Sequence, residues 1–118
     1  MIFDMKLTDL PYNQLLNGEK TVELRLYDGK RKQIHVDDIV RFTHIKRKEC
    51  YIYAKVVALH IFPDFKSLFL TELYEKCGCA GYTMEEVVES MYTYYTQEDE
   101  KFYGGVGIEI ELIKAGDV

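Results

Sequence analysis

Between Lys20 and Tyr27 apolar and polar residues alternate. Val22, Leu24 and Leu26 fall on one side, and Thr21, Glu23, Arg25 and Tyr27 on the other. A period of two is that of a half-buried β-strand, so the apolar set is expected to face the core and Glu23 and Arg25 to point outward. Asp28-Gly29 then turns the chain. Ile39–Ile45 and Tyr51–Phe62 read as two further strands joined by a hairpin carrying Lys46-Arg47-Lys48. Ile52, Ala54, Val56 and Ala58 share one face, and the apolar second half of that strand suits a central or bent position. Ile2–Lys6 is expected to be a short strand. Val106, Ile108, Ile110 and Leu112 alternate into a last strand, whose Glu109 and Glu111 suggest a sheet edge.

Helical signals fill the gaps. Pro11–Leu16 has a proline in its first turn and Gly18 as its stop. Asp64 is placed to cap a helix bearing Phe65, Leu68, Phe69 and Leu73. Thr83 and Glu86 form a capping box ahead of Met84, Val87, Val88 and Met91, and Thr96 is placed to cap a final turn ending at Gly104-Gly105. The strands lie too close together in sequence for parallel crossover connections. The pattern therefore predicts one α+β domain over residues 1–118, a small, mostly antiparallel sheet or barrel with short helices inserted.

Composition adds three limits. The 118 residues, 47% of them hydrophobic and 16 of them Phe or Tyr, can build a core without metal or disulfide. Cys50, Cys77 and Cys79 are an odd set with no metal-ligand spacing to a histidine, so they are expected to be structural or free thiols in a reducing compartment, with no metal and no cofactor. No apolar run approaches the ~20 residues of a membrane span, and a cytoplasmic protein is expected. The net charge of −5 is unevenly spread. Residues 1–60 hold 11 Lys+Arg against 8 Asp+Glu, and residues 61–118 hold 4 against 12. A charged partner for the first half, or an acidic docking face on the second, would each fit.

Gly18-x-Lys20-x-x-Glu23-x-Arg25 resembles the G-x-K-x-x-E-x-R signature of the ASCH (activating signal cointegrator homology) domain family, a branch of the PUA-like β-barrels. The helix "LPYNQLLNG" before it, "DDIVRF" after it and the closing "YGGVGIEIEL" extend the resemblance over nearly the whole chain. It implies a PUA-like barrel that binds RNA or a nucleotide-like ligand. Family members usually carry Gly-Asp where this chain has Asp37-Asp38. One hydrolytic branch, acting on N4-acetylcytidine-type nucleosides, resembles a Lys–Thr–Glu arrangement. This chain has Glu23 at the threonine position, Thr21 two residues away, and no clear match for that branch's glutamate near residues 79–82.

The residue types suit such a ligand. Arginine offers a planar fork and lysine a point charge for phosphate, and a carboxylate accepts from an exocyclic amine. Gly18, Lys20, Glu23 and Arg25 are thus the candidate ligand-binding set. Tyr27 is a candidate stacking ring, and Lys30, Arg31 and Lys32, with the hairpin triplet Lys46-Arg47-Lys48, are candidate phosphate contacts. If the protein is instead an amidohydrolase, Lys20 and Glu23 are the catalytic candidates. A non-catalytic protein-interaction module is the third reading. The sequence leaves oligomeric state open.

Overall fold

The structure, a computed structural model, describes residues 2–79 and 81–116, with side chains through Ile113. Five strands, β1 (Ile2–Leu7), β2 (Val22–Leu26), β3 (Ile39–His44), β4 (Tyr51–Phe62) and β5 (Gly105–Gly116), form one sheet in the order β1-β3-β4-β5-β2. Four helices punctuate them: α1 (Asp9–Asn17), α2 (Phe65–Phe69), α3 (Met84–Met91) and α4 (Gln97–Tyr103). Short 3-10 turns lie at Arg31–Gln33 and Glu72–Lys76. The sheet is curled into a half-barrel, open along the seam between its edge strands β1 and β2. Across that seam the Arg25 guanidinium donates to the Lys6 carbonyl at 3.0 Å.

Three helix starts form as their capping residues dictate, but the helix that Asp64 caps stops at Phe69, so Leu73 falls in the following 3-10 turn, which Thr71 caps. Asp64 accepts from the Ser67 amide at 2.7 Å, Thr96 accepts from Asp99, and Thr83 and Glu86 close a reciprocal capping box. Helix α1 starts at Asp9, two residues earlier than expected. Pro11 still sits in its first turn, where a missing amide costs nothing. Gly18 stops it with φ of 84°, a left-handed conformation that glycine adopts without steric cost. Asp37 has φ of 77°, so it takes on the left-handed turn geometry at the first residue of Asp37-Asp38.

Two expectations about the sheet are corrected. β1 and β3 pair in parallel, because α1 and β2 together supply the crossover that consecutive strands lack. β5 is not an edge: β4 and β2 flank it on either side. Its Glu109 is held by His60 at 2.8 Å and Lys76 at 3.4 Å.

Two apolar clusters result. One fills the concave side of the sheet with Phe42, Ile52, Val56, Val106 and Ile108. The other lies between the opposite face of β2 and the helices, where Val22, Leu24 and Leu26 meet Phe65, Leu68 and Val87. Gly105 lets α2 come this close, since a Cβ there would sit 2.9 Å from the Phe65 ring. Gly105→Val is expected to destabilise the fold by about 1–3 kcal/mol through overpacking. Urea unfolding checks this as a lower midpoint at unchanged slope.

Candidate ligand cleft

Registration of β2 on β5 decides where the motif points. Glu23 lies opposite Ile108 and Arg25 opposite Val106, whereas Leu24 faces Gly107 and Leu26 faces Gly105. Glu23 and Arg25 thus share the concave face with the main core, and the aliphatic residues take the helix side. The expectation that the charged pair points outward is corrected. Both faces of β2 are covered, and Glu23 is only 4% exposed.

A carboxylate so placed needs cations. Lys20 Nζ lies 3.1 Å from Glu23 Oε1, and the Leu24 amide donates to the same oxygen at 3.0 Å. Arg25 approaches Oε2 no closer than 3.8 Å, which leaves Oε2 buried without a hydrogen-bond donor among the described residues. Burial opposes ionisation of Glu23. Lys20 and Arg25, with the hydrogen bonds from Lys20 and the Leu24 amide, outweigh it and hold the carboxyl below its ordinary 4.5. Lys20 is itself fixed by backbone. Its amide donates to the Gln14 carbonyl at 3.1 Å, it bridges to Cys77, and the next amide, Thr21, donates to Lys76 at 2.9 Å.

Lys20, Glu23 and Arg25 line a cleft of about 250 Å³ between the end of β1 and the helical insertion. Its far wall holds Cys77, Cys79, Val87, Met91, Tyr94 and Tyr95. Tyr95 is stacked on Phe65, whereas Tyr94 is 72% exposed at the cleft. Burial pushes the Cys77 thiol up to about 12 and raises Cys79 as well, so both are protonated thiols at neutral pH. No group of three or more His, Cys, Asp or Glu among the described residues converges as a metal centre requires.

The other sequence candidates lie apart from this cleft. Gly18 borders a different hollow with Asn17, Thr21 and Ile110, to which Lys20 of the cleft also contributes. Tyr27 packs beside the main core, with the Lys32 ammonium 5.5 Å from its ring centre. Arg31 is paired with Asp28 at 2.9 Å, and Lys30 donates to the Asp4 carbonyl at 2.8 Å. Sequence reasoning did not place the wall from Cys77 to Tyr95 at the motif. Its one advance signal is Tyr94, which falls off the apolar stripe of its tyrosine-rich segment. Ala80, within the stretch where the hydrolytic branch's glutamate would fall, lies outside the described residues.

Comparison with known proteins gives a consistent picture. The ASCH domain model matches residues 5–114. The crystal structure of the hypothetical protein PH0355 superposes with a TM-score of 0.85 at 34% identity, covering 96% of this chain and all of the other. Protein PF0455 from Pyrococcus furiosus, solved by NMR, superposes with a TM-score of 0.76 at 29% identity, covering 97% of this chain and 99% of its own. An ASCH protein from Zymomonas mobilis shares the fold at 13% identity and a TM-score of 0.63, with 99% of this chain and 73% of that one aligned. No curated protein shows significant similarity. Among the described residues no helix is long and apolar enough to cross a membrane.

Two outcomes test the buried charges. Lys20→Met removes a cation from a buried pair and is expected to cost about 3–5 kcal/mol, most of it regained in Lys20→Met/Glu23→Met. Chemical denaturation of the two variants checks it. Because the folded Glu23 carboxyl titrates below its unfolded value, its stabilisation is complete above pH 4.5 and is lost as pH falls through the lower folded value. Wild-type stability should therefore fall more steeply than that of Glu23→Gln below about pH 4.5, as read by denaturant midpoints across an acid series.

Proposed function

The chain belongs to the ASCH domain family, and on that premise we propose that its cleft binds RNA or a nucleotide-like molecule through one base. The observation that carries this is Glu23 Oε2, a buried, charged acceptor with no donor of its own. Leaving such a group unsatisfied costs about 1–3 kcal/mol, or more for a charge, and a ligand N–H would offset that cost once the neighbouring side chains, Arg25 at 3.8 Å among them, shift to admit it. An amino-bearing base edge supplies the donor, as carboxylates accept from the cytosine amine. Two cations beside one carboxylate leave the cleft net positive, which suits a ligand that also carries phosphate. Val87 and Met91 offer an apolar floor, and Tyr94 an exposed ring for stacking, an interaction of about 1–3 kcal/mol per base.

A hydrolytic reading has less to draw on. Thr21, the hydroxyl closest to Glu23 in sequence, lines the hollow beside Asn17. Thr8 and Ser90 carry hydroxyls in the cleft lining, but Ser90 Oγ donates to the Val87 carbonyl at 2.7 Å, and no observation pairs either hydroxyl with Glu23 as its base.

Titration of single-stranded oligoribonucleotides of C, A, G and U tests the proposal. The three bases with exocyclic amines should bind more tightly than U. Glu23→Gln should lose about 1–3 kcal/mol of affinity for oligocytidine and narrow the preference. Equal affinities across the four, unchanged by Glu23→Gln, would remove the carboxylate from recognition.

A further inference from the structure

Beyond Arg25 the cleft wall continues into a second, larger hollow of about 550 Å³, on the side of β1. Its walls come from β1, β2, the turn after Gly29, β3 and the β3–β4 hairpin. They contribute Lys6, Arg25, Lys30, Arg31, Arg41 and Lys48. Six cations meet there in a chain whose net charge is −5. Among the described residues Asp4 is the one carboxylate residue in the lining, and Arg41 pairs with it at 2.6 Å. Arg31 is paired with Asp28 through Nη1, while its buried Nε has no hydrogen-bond partner among the described residues, and His44 is paired with Asp9 at 3.1 Å. Lys6, Lys30 and Lys48 have no carboxylate partner among the described residues, and Lys30 and Lys48 are exposed.

We infer that this groove is a phosphate-binding subsite. In it, phosphates covalently continuous with the base in the Glu23 cleft are held by Lys6, Lys30 and Lys48. The inference rests on the base-binding reading of the cleft and extends it. Lys6 and Arg25 line both hollows, so a ligand leaving the cleft past Arg25 enters the groove without crossing an acidic wall. The groove has more than twice the cleft's volume, room for more than one phosphate group. Gathered lysines without local counterions attract phosphate through charge alone, so this subsite is indifferent to base identity. Only part of each basic triplet takes part. Lys32 lies over Tyr27, and the Arg47 guanidinium is 3.5 Å from Asp9.

Phosphate here has two sources, the neighbouring phosphodiesters of a single strand or the polyphosphate of a free nucleotide. Affinities of wild type, Lys30→Ala/Lys48→Ala and Glu23→Gln are measured against cytidine, cytidine 5′-triphosphate and a fluorescein-labelled single-stranded octacytidylate, across a salt series. A control, Lys46→Ala/Lys66→Ala, removes the same charge from exposed positions outside the groove. The groove variant should bind at least one phosphate-bearing ligand about tenfold more weakly at low salt. Its log–log salt slope should shrink by about 0.7 for each phosphate that is no longer neutralised, and cytidine binding should be unchanged. The phosphate ligand whose binding weakens identifies the source. A groove variant indistinguishable from wild type, or from the control, with both phosphate ligands overturns the subsite while leaving the cleft untouched. Weaker binding by the groove variant with Glu23→Gln binding as wild type upholds phosphate binding but overturns its link to a base in the cleft.

Discussion

Glu23 holds a negative charge where water scarcely reaches, and three groups from its own stretch of chain, Lys20, the Leu24 amide and Arg25, are arranged around it. Lys20 can meet it because α1 stops at Gly18 and the following backbone is pinned to Gln14 and to the turn ending at Lys76. Arg25 can meet it because β2 is extended, which puts residues two apart on one face. The Leu24 amide is drawn in as a third partner. Burying a carboxylate costs several kcal/mol unless its surroundings compensate, so the sheet's open end tolerates little rearrangement. One of the two oxygens is well served and the other is not, and that imbalance sets the cleft apart from an ordinary internal ion pair.

Arg25 is the hinge of the arrangement. Its guanidinium faces Glu23, reaches across the seam to the Lys6 carbonyl, and forms part of the wall of both hollows. Without a ladder joining β1 to β2, that hydrogen bond ties the two edges of the half-barrel together side chain to backbone. The feature that opens a cleft into the concave face therefore also limits how far it opens.

Much of this was legible in the chain. Asp64, Thr83 and Thr96 announced their helices, and the alternation at Lys20–Tyr27 announced β2. Period two says that two faces differ, yet it cannot say which one lies inside. On β2 both are covered, because Gly105 on the neighbouring strand lets α2 close over the aliphatic side. Pairing order was hidden for a similar reason. The Glu109-Glu111 pattern that suggested an edge reflects, at Glu109, local ion pairing with His60 and Lys76. The basic triplets were grouped by sequence, but space regroups them, setting Lys30 and Lys48 in one groove with Lys6 and Arg25. The far wall of the cleft, from Cys77 to Tyr95, follows from how α3 docks, and local propensity carries no record of that docking.

The strand order also bears on how the protein is made. β2 leaves the ribosome well before its ladder partner β5, which begins only at Gly105. At elongation rates of about 5–20 residues per second, β2 waits several seconds with its backbone groups unpaired. Over that interval Glu23 is a hydrated carboxylate, and its desolvation comes only when β5 inserts between β4 and β2. The seating of the motif is thus coupled to synthesis of β5, and a nascent chain that stops before Gly105 lacks the ladder that seats Glu23 and Arg25.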